Sequence, residues 1–159
     1  MKRIQALADI RIGLFGFDGR PTINGSALVK TIGASKMGLN LSRATDIPLY
    51  SSDRLSQLTG NGCLALTPRT PQMTMLFEEN EVAYYSDTEE LLSHIQTYGT
   101  DDTTWRKTAE AGWRRAHRSY NERRIAKYIV EAAMNNDFSE SYEWLFAAVS
   151  AKISRNKTP

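Results

Sequence analysis

The 159-residue sequence has one cysteine, Cys63, which excludes an internal disulfide framework and leaves too few thiols for a structural zinc site. No stretch reaches the ~20 apolar residues that a membrane span requires. Lys2 and Arg3 are followed by an apolar run that Asp9 and Arg11 interrupt, so no signal peptide is read there. Charge of one sign is missing too. Twenty basic residues stand against 18 acidic ones, a formal net charge of +2, and bulk electrostatics selects no partner. His94 and His117 are the only imidazoles, and no D-x-D pair suggests a metal, so no metal site and no cofactor is expected. The phosphate loop G-x-x-x-x-G-K-[ST] is absent as well. What remains is ordinary globular composition, 41% hydrophobic and 24% charged, over about one domain's length. The expectation is a soluble, cytoplasmic protein.

Short apolar runs alternate with helical patterns over the first two-thirds. Ile12 to Phe17 ends in the turn signal Asp18-Gly19-Arg20-Pro21; Met37 to Leu41, Cys63 to Thr67 and Val82 to Tyr85 follow. Helices are expected at about 25–34 and 51–59, with a short turn near 72–77. Fully apolar strands between helices predict an α/β fold, a Rossmann-like parallel sheet of four or more strands with helices on both faces. From Ser86 the pattern is helical alone. Ser86-Asp-Thr-Glu89 fits a capping box, Gly99 ends that helix, and Asp101 and Asp102 start the next. Trp105, Ala109 and Trp113 share one expected face; Ile125, Tyr128, Ile129, Ala132 and Ala133 share another, read as turned inward. The expected division is a domain over 1–136 and a C-terminal helix with a polar tail over 137–159.

In open α/β sheets, ligands bind beyond the C-terminal ends of the strands, beside helix starts. Loops 18–24, 42–53, 67–72 and 86–88 are therefore the candidates. Gly13, Gly16 and Gly19 are spaced G-x-x-G-x-x-G, not the dinucleotide fingerprint G-x-G-x-x-G, which argues against NAD. Ser51-Ser52-Asp53-Arg54 stands where a helix begins, and Arg54 in its first turn opposes the helix dipole, a placement an anion would offset. Pro68-Arg69-Thr70-Pro71 follows the third run. A serine-rich, arginine-bearing rim suits a phosphate or diphosphate.

Ser35-Lys-Met-Gly-Leu-Asn-Leu-Ser42, Ser52-Asp-Arg54, Gly62-Cys-Leu-Ala-Leu-Thr67, Leu76-Phe-Glu78 and Asp87-Thr-Glu-Glu-Leu91 occur in that order. Together they resemble the C-terminal, donor-binding half of GT-B glycosyltransferases of the group 1 type, related to bacterial spore-coat and surface-polysaccharide enzymes. The resemblance covers about residues 12–133. It implies binding of a nucleotide-diphosphate sugar and a domain that is incomplete without an acceptor-holding half, supplied by another domain or a second copy. The family element R-x-x-E-x-x-x-x-G falls on Arg54, Gln57 and Gly62; the family glutamate, which contacts the donor ribose, is here Gln57. The substrate-binding candidates are thus Arg20, Ser52, Asp53, Arg54, Gln57, Gly62, Arg69 and Thr70, with no catalytic residue assigned. The rival reading is a non-catalytic nucleotide-binding or scaffolding module, for which Gln57 speaks.

Residues 103–128 carry eight Lys or Arg against Glu110 and Glu122, with Trp105, Trp113 and Tyr120 interleaved. The preferred reading is two helices with apolar faces inward and basic residues in water, serving packing or an inter-domain contact. Nucleic acid is not expected as a partner; contact with an anionic membrane surface is the alternative.

Overall fold

The computed structural model describes residues 2–5, 10–16 and 18–145. Its elements in chain order are α1 (Lys2–Gln5), α2 (Gly25–Gly33), β1 (Met37–Leu39), α3 (Arg54–Gly60) and β2 (Leu64–Pro68). A 3-10 turn (Met73–Met75), β3 (Ala83–Tyr85), α4 (Thr88–Thr100), α5 (Asp102–Ser119) and α6 (Glu122–Ala133) complete the order. The three strands form one parallel sheet in the order β1-β2-β3, with Leu39 opposite Leu66 and Leu66 opposite Ala83. The chain is an α/β protein with a Rossmann-like sheet, as the alternation of apolar runs and helices predicts.

The central strand β2 is buried along its whole length, which is why its sequence reads as a continuous apolar run. Its side chains alternate between two cores. Cys63 and Ala65 join Val82 and Tyr84 under Ile32 of α2, Leu55 and Leu58 of α3, and Met73 and Phe77 of the turn. Leu64 and Leu66 join Ala83 under Leu91 and Ile95 of α4 and Ala109 of α5. Helices therefore cover both faces.

α5 lies along the N-terminal end of the sheet. The indole Nε1–H of Trp105 donates to Lys36 O, just before β1, at 2.7 Å. A Cβ on Gly112 would stand 2.2 Å from Glu81 O, just before β3, so only glycine permits that approach. With α5 across this end, the C-terminal strand ends and their loops are left free.

Several expectations need correction. The described residues contain three strands, not four: Ile12 to Gly16 forms no ladder. Gly16 takes φ +64° and its N–H donates to Pro21 O at 3.0 Å, so the run folds into a turn, while Ile10 and Ile12 still pack against the core. The cap of α4 is shifted by one residue. Asp87 accepts from Glu90 N–H at 2.9 Å, and Glu90 accepts from Ser86 N–H at 2.7 Å.

The third correction is α6, whose apolar face points outward, with Ile125 40%, Ile129 57% and Val130 59% exposed. Its inner side is polar. Arg124 donates to Glu140 at 2.7 Å and to Glu143 at 3.0 Å, and its guanidinium lies over the rings of Tyr142 and Trp144. Glu131 accepts from Tyr142 Oη–H at 2.8 Å and from the Ser139 hydroxyl. Trp113 is likewise largely exposed, although Trp105 and Ala109 on the same expected face turn inward. Nor do all the basic residues stand in water, since the side chains of Arg115 and Arg124 are mostly buried. The final helical pattern, expected over Tyr142 to Val149, is described only to Leu145; its remainder lies outside the described residues. Among the described residues no helix is long and apolar enough to cross a membrane.

Candidate functional site

β1 ends at Leu39, and the next residue, Asn40, is completely buried. Its backbone N–H extends the ladder to Leu66 O at 2.8 Å. Its carboxamide bridges two hydroxyls: Nδ2 donates to Thr67 Oγ1 at 2.9 Å, and Oδ1 accepts from Ser52 Oγ at 2.8 Å. Loop 42–53 is thereby tied to the end of β2. A second tie lies further out, where Leu49 N–H donates to Pro71 O at 2.9 Å. Thr70, buried, points its hydroxyl at Tyr50 O across 3.5 Å.

These two loops also hold unusual backbone and unpaired polar atoms. Leu49 and Gln72 take φ +60° and +63°, the left-handed region that costs an ordinary L-residue about 1–2 kcal/mol. Ser42 Oγ and Gln72 Oε1 are the buried side-chain polar atoms that lack a partner among the described residues. Strain and unsatisfied polar groups collected in one place mark a functional site more often than a structural one.

Ser52, Asp53, Arg54 and Gln57 come together at the start of α3. Arg54 donates to Leu41 O at 3.1 Å, and no carboxylate takes its charge among the described residues. Gln57 Nε2 donates to Asp53 Oδ2 at 3.2 Å. Because a carboxylate only accepts, that contact fixes the amide's orientation and leaves Gln57 Oε1 as an acceptor. Ser51 and Ser52 open onto a groove of about 300 Å³, floored by Leu55, Leu76, Phe77 and Ala116. Arg54 faces a second cavity, of about 330 Å³, shared with Thr22, Ile23 and Asn24 of the loop that contains Arg20. Arg20 itself is exposed.

Two candidates are placed differently. Arg69 N–H bonds Tyr85 O at 2.9 Å, but its guanidinium grips Glu79 through both nitrogens, at 2.5 and 3.1 Å, and lies over the Tyr84 ring. The pair holds the Glu79 carboxyl below its ordinary range. Gly62 turns into the start of β2 at φ +74°, with Trp113 beside it, at the opposite end of the sheet from Ser52. It belongs to the turn, not to the rim.

The histidines are fixed by backbone. His94 Nε2 lies 2.8 Å from Tyr84 O and His117 Nε2 lies 2.9 Å from Gly60 O, so each ring donates to a carbonyl. Burial pushes the Cys63 thiol up to about 12, which keeps it protonated and unreactive. No group of three His, Cys, Asp or Glu side chains gathers for a metal among the described residues. Sequence reasoning missed Asn40, Leu49 and Gln72. Leu49 and Gln72 lie in loops that the strand ends single out, and Asn40 is an amide inside the apolar run Met37 to Leu41.

Parallel strands covered on both faces by helices, with the loops at their C-terminal ends tied together, make a Rossmann-like α/β domain. The family model described as glycosyl transferase-like matches residues 2–131, and the chain belongs to that family. No curated protein and no solved structure matches it.

Proposed function

We propose that this domain binds the nucleotide-diphosphate sugar from which a glycosyl group is transferred, in the manner of the donor half of GT-B enzymes. The observation that supports this best is the rim itself. Loops 42–53 and 67–72 meet at the C-terminal strand ends, and the buried polar atoms left unpaired lie in them. A polar ligand seated there supplies the partners that Ser42 and Gln72 lack.

Arg54, whose charge meets only a carbonyl, is the first candidate for neutralising a diphosphate, with Arg20, exposed two residues before the segment Thr22–Asn24 that lines the second cavity, as the other. Arg69 contributes its charge only by leaving Glu79. Thr70 and Asp53 shape the rim through the backbone of the two loops. Gln57 Oε1 offers a ribose hydroxyl the same acceptor that a glutamate would, without the charge. Transfer also needs an acceptor hydroxyl held in line with the anomeric carbon and a base beside it. A second wall from another domain or a second copy provides these, and the isolated chain is expected to bind donor without turning it over.

Calorimetric titration with UDP, GDP, UDP-glucose and GDP-mannose tests the reading. Saturable binding of at least one supports it. Absence of any binding at millimolar concentration assigns the chain instead to a scaffolding role that keeps the fold.

A further inference from the structure

We infer that Asn40 is a positioning residue for this site, setting Ser52 against the end of β2. This rests on the donor-binding reading above. Asn40 is completely buried, yet neither end of its amide is spent on satisfying the β ladder; both ends hold side-chain hydroxyls from different segments. One of these, Thr67, is itself fully buried on the central strand and forms a rigid anchor. The other, Ser52, is half-buried and lines the groove. The amide thus transmits the position of β2 to a residue at the rim.

The backbone carries the second effect. Asn40 N–H is locked to Leu66 O, and the carbonyl of the following residue, Leu41, receives Arg54 Nη1–H at 3.1 Å. This second tie is main chain alone and persists whatever side chain stands at 40, so the amide's own contribution is to Ser52. Packing alone has no use for this residue. A buried apolar side chain fills the same space without the desolvation of an amide, whereas a satisfied polar network specifies one arrangement of its parts. In a transferase that arrangement matters, because a displacement of ~1 Å in a binding group changes rates by orders of magnitude.

The test is a double-mutant cycle read by calorimetry with UDP-glucose and GDP-mannose, on the full chain, with thermal melting to establish that each variant is folded. Asn40→Ala is expected to weaken binding about tenfold in the wild-type background and less than twofold once Ser52→Ala is present, because residues in one network are non-additive. Thr67→Val, which keeps the shape and removes the anchor, is expected to repeat the pattern, and it decides the matter if Asn40→Ala does not fold. An equal loss in both backgrounds, or no loss in either, overturns the positioning role and leaves the donor reading intact. Absence of binding by the wild type to either sugar nucleotide overturns the donor reading, and this role with it.

Discussion

The sheet and the region around α6 are held together by opposite means. Around β2 the contacts are apolar, and Leu64, Ala65 and Val82 are at most 1% exposed. Around α6 the apolar residues stand in solvent, and the inner contacts are an arginine between two carboxylates, a glutamate under two hydroxyls and a cluster of aromatic rings. Hydrophobic transfer is non-directional, so the sheet core tolerates adjustment; the α6 contacts depend on hydrogen-bond geometry and fail when one partner is lost. The rim of the candidate site uses both. Apolar packing builds the strands, and one buried amide fixes what stands at their ends.

Substitution can break this comparison. The largest effect is expected for Leu64→Ala, which opens a cavity in the core under α4 and α5 and destabilises by about 3–4 kcal/mol in urea unfolding. Next comes Arg124→Ala, which leaves Glu140 with Lys127 and Glu143 with Ser119 as their remaining partners and costs about 2 kcal/mol. Its diagnostic is regional: amide exchange should accelerate over residues 137–145 and not in β2.

A smaller loss is expected in the sheet core at alkaline pH. The Cys63 thiol rises from 9.0 to about 12 on burial, so between those values the unfolded chain releases a proton that the folded chain retains. Stability is therefore complete below pH 9 and falls as pH rises toward 12, by roughly 1 kcal/mol at pH 10 from this group. Burial raises Tyr84 and Tyr85 in the same direction, so the difference between wild type and Cys63→Ala isolates the thiol. The smallest effect sharpens the contrast. Ile129→Ala, at a position 57% exposed, is expected to change stability by less than about 0.5 kcal/mol. A loss as large as that of Leu64→Ala would mean that the face of α6 is covered in solution.

Part of the site was legible in the sequence. Ser52, Asp53 and Arg54 stand at a helix start, and the turn residues Pro68 and Pro71 bracket a loop after a buried run. The ends of the sheet were not legible to the same degree. Gly62 lies close to this cluster in sequence but at the far end of β2, because α3 carries the chain back before the strand begins. Arg69 reads as a free cation until Glu79, ten residues on, is brought against it by the return toward β3.

The sequence by itself determined the α/β class, the buried central strand and, to within one residue, the starts of α4 and α5. Each follows from local chemistry: continuous apolar residues for a strand covered on both faces, and Asp87 and Asp101 accepting from the first free N–H groups of their helices. Tertiary structure alone decided which way α6 faces, that Ile12 to Gly16 leaves the sheet, and that Asn40 holds Ser52 and Thr67 together. Periodicity gives a helix its apolar side but no partner to bury it against. A hydrogen bond between residues 12 and 27 positions apart exists only once the strands are paired.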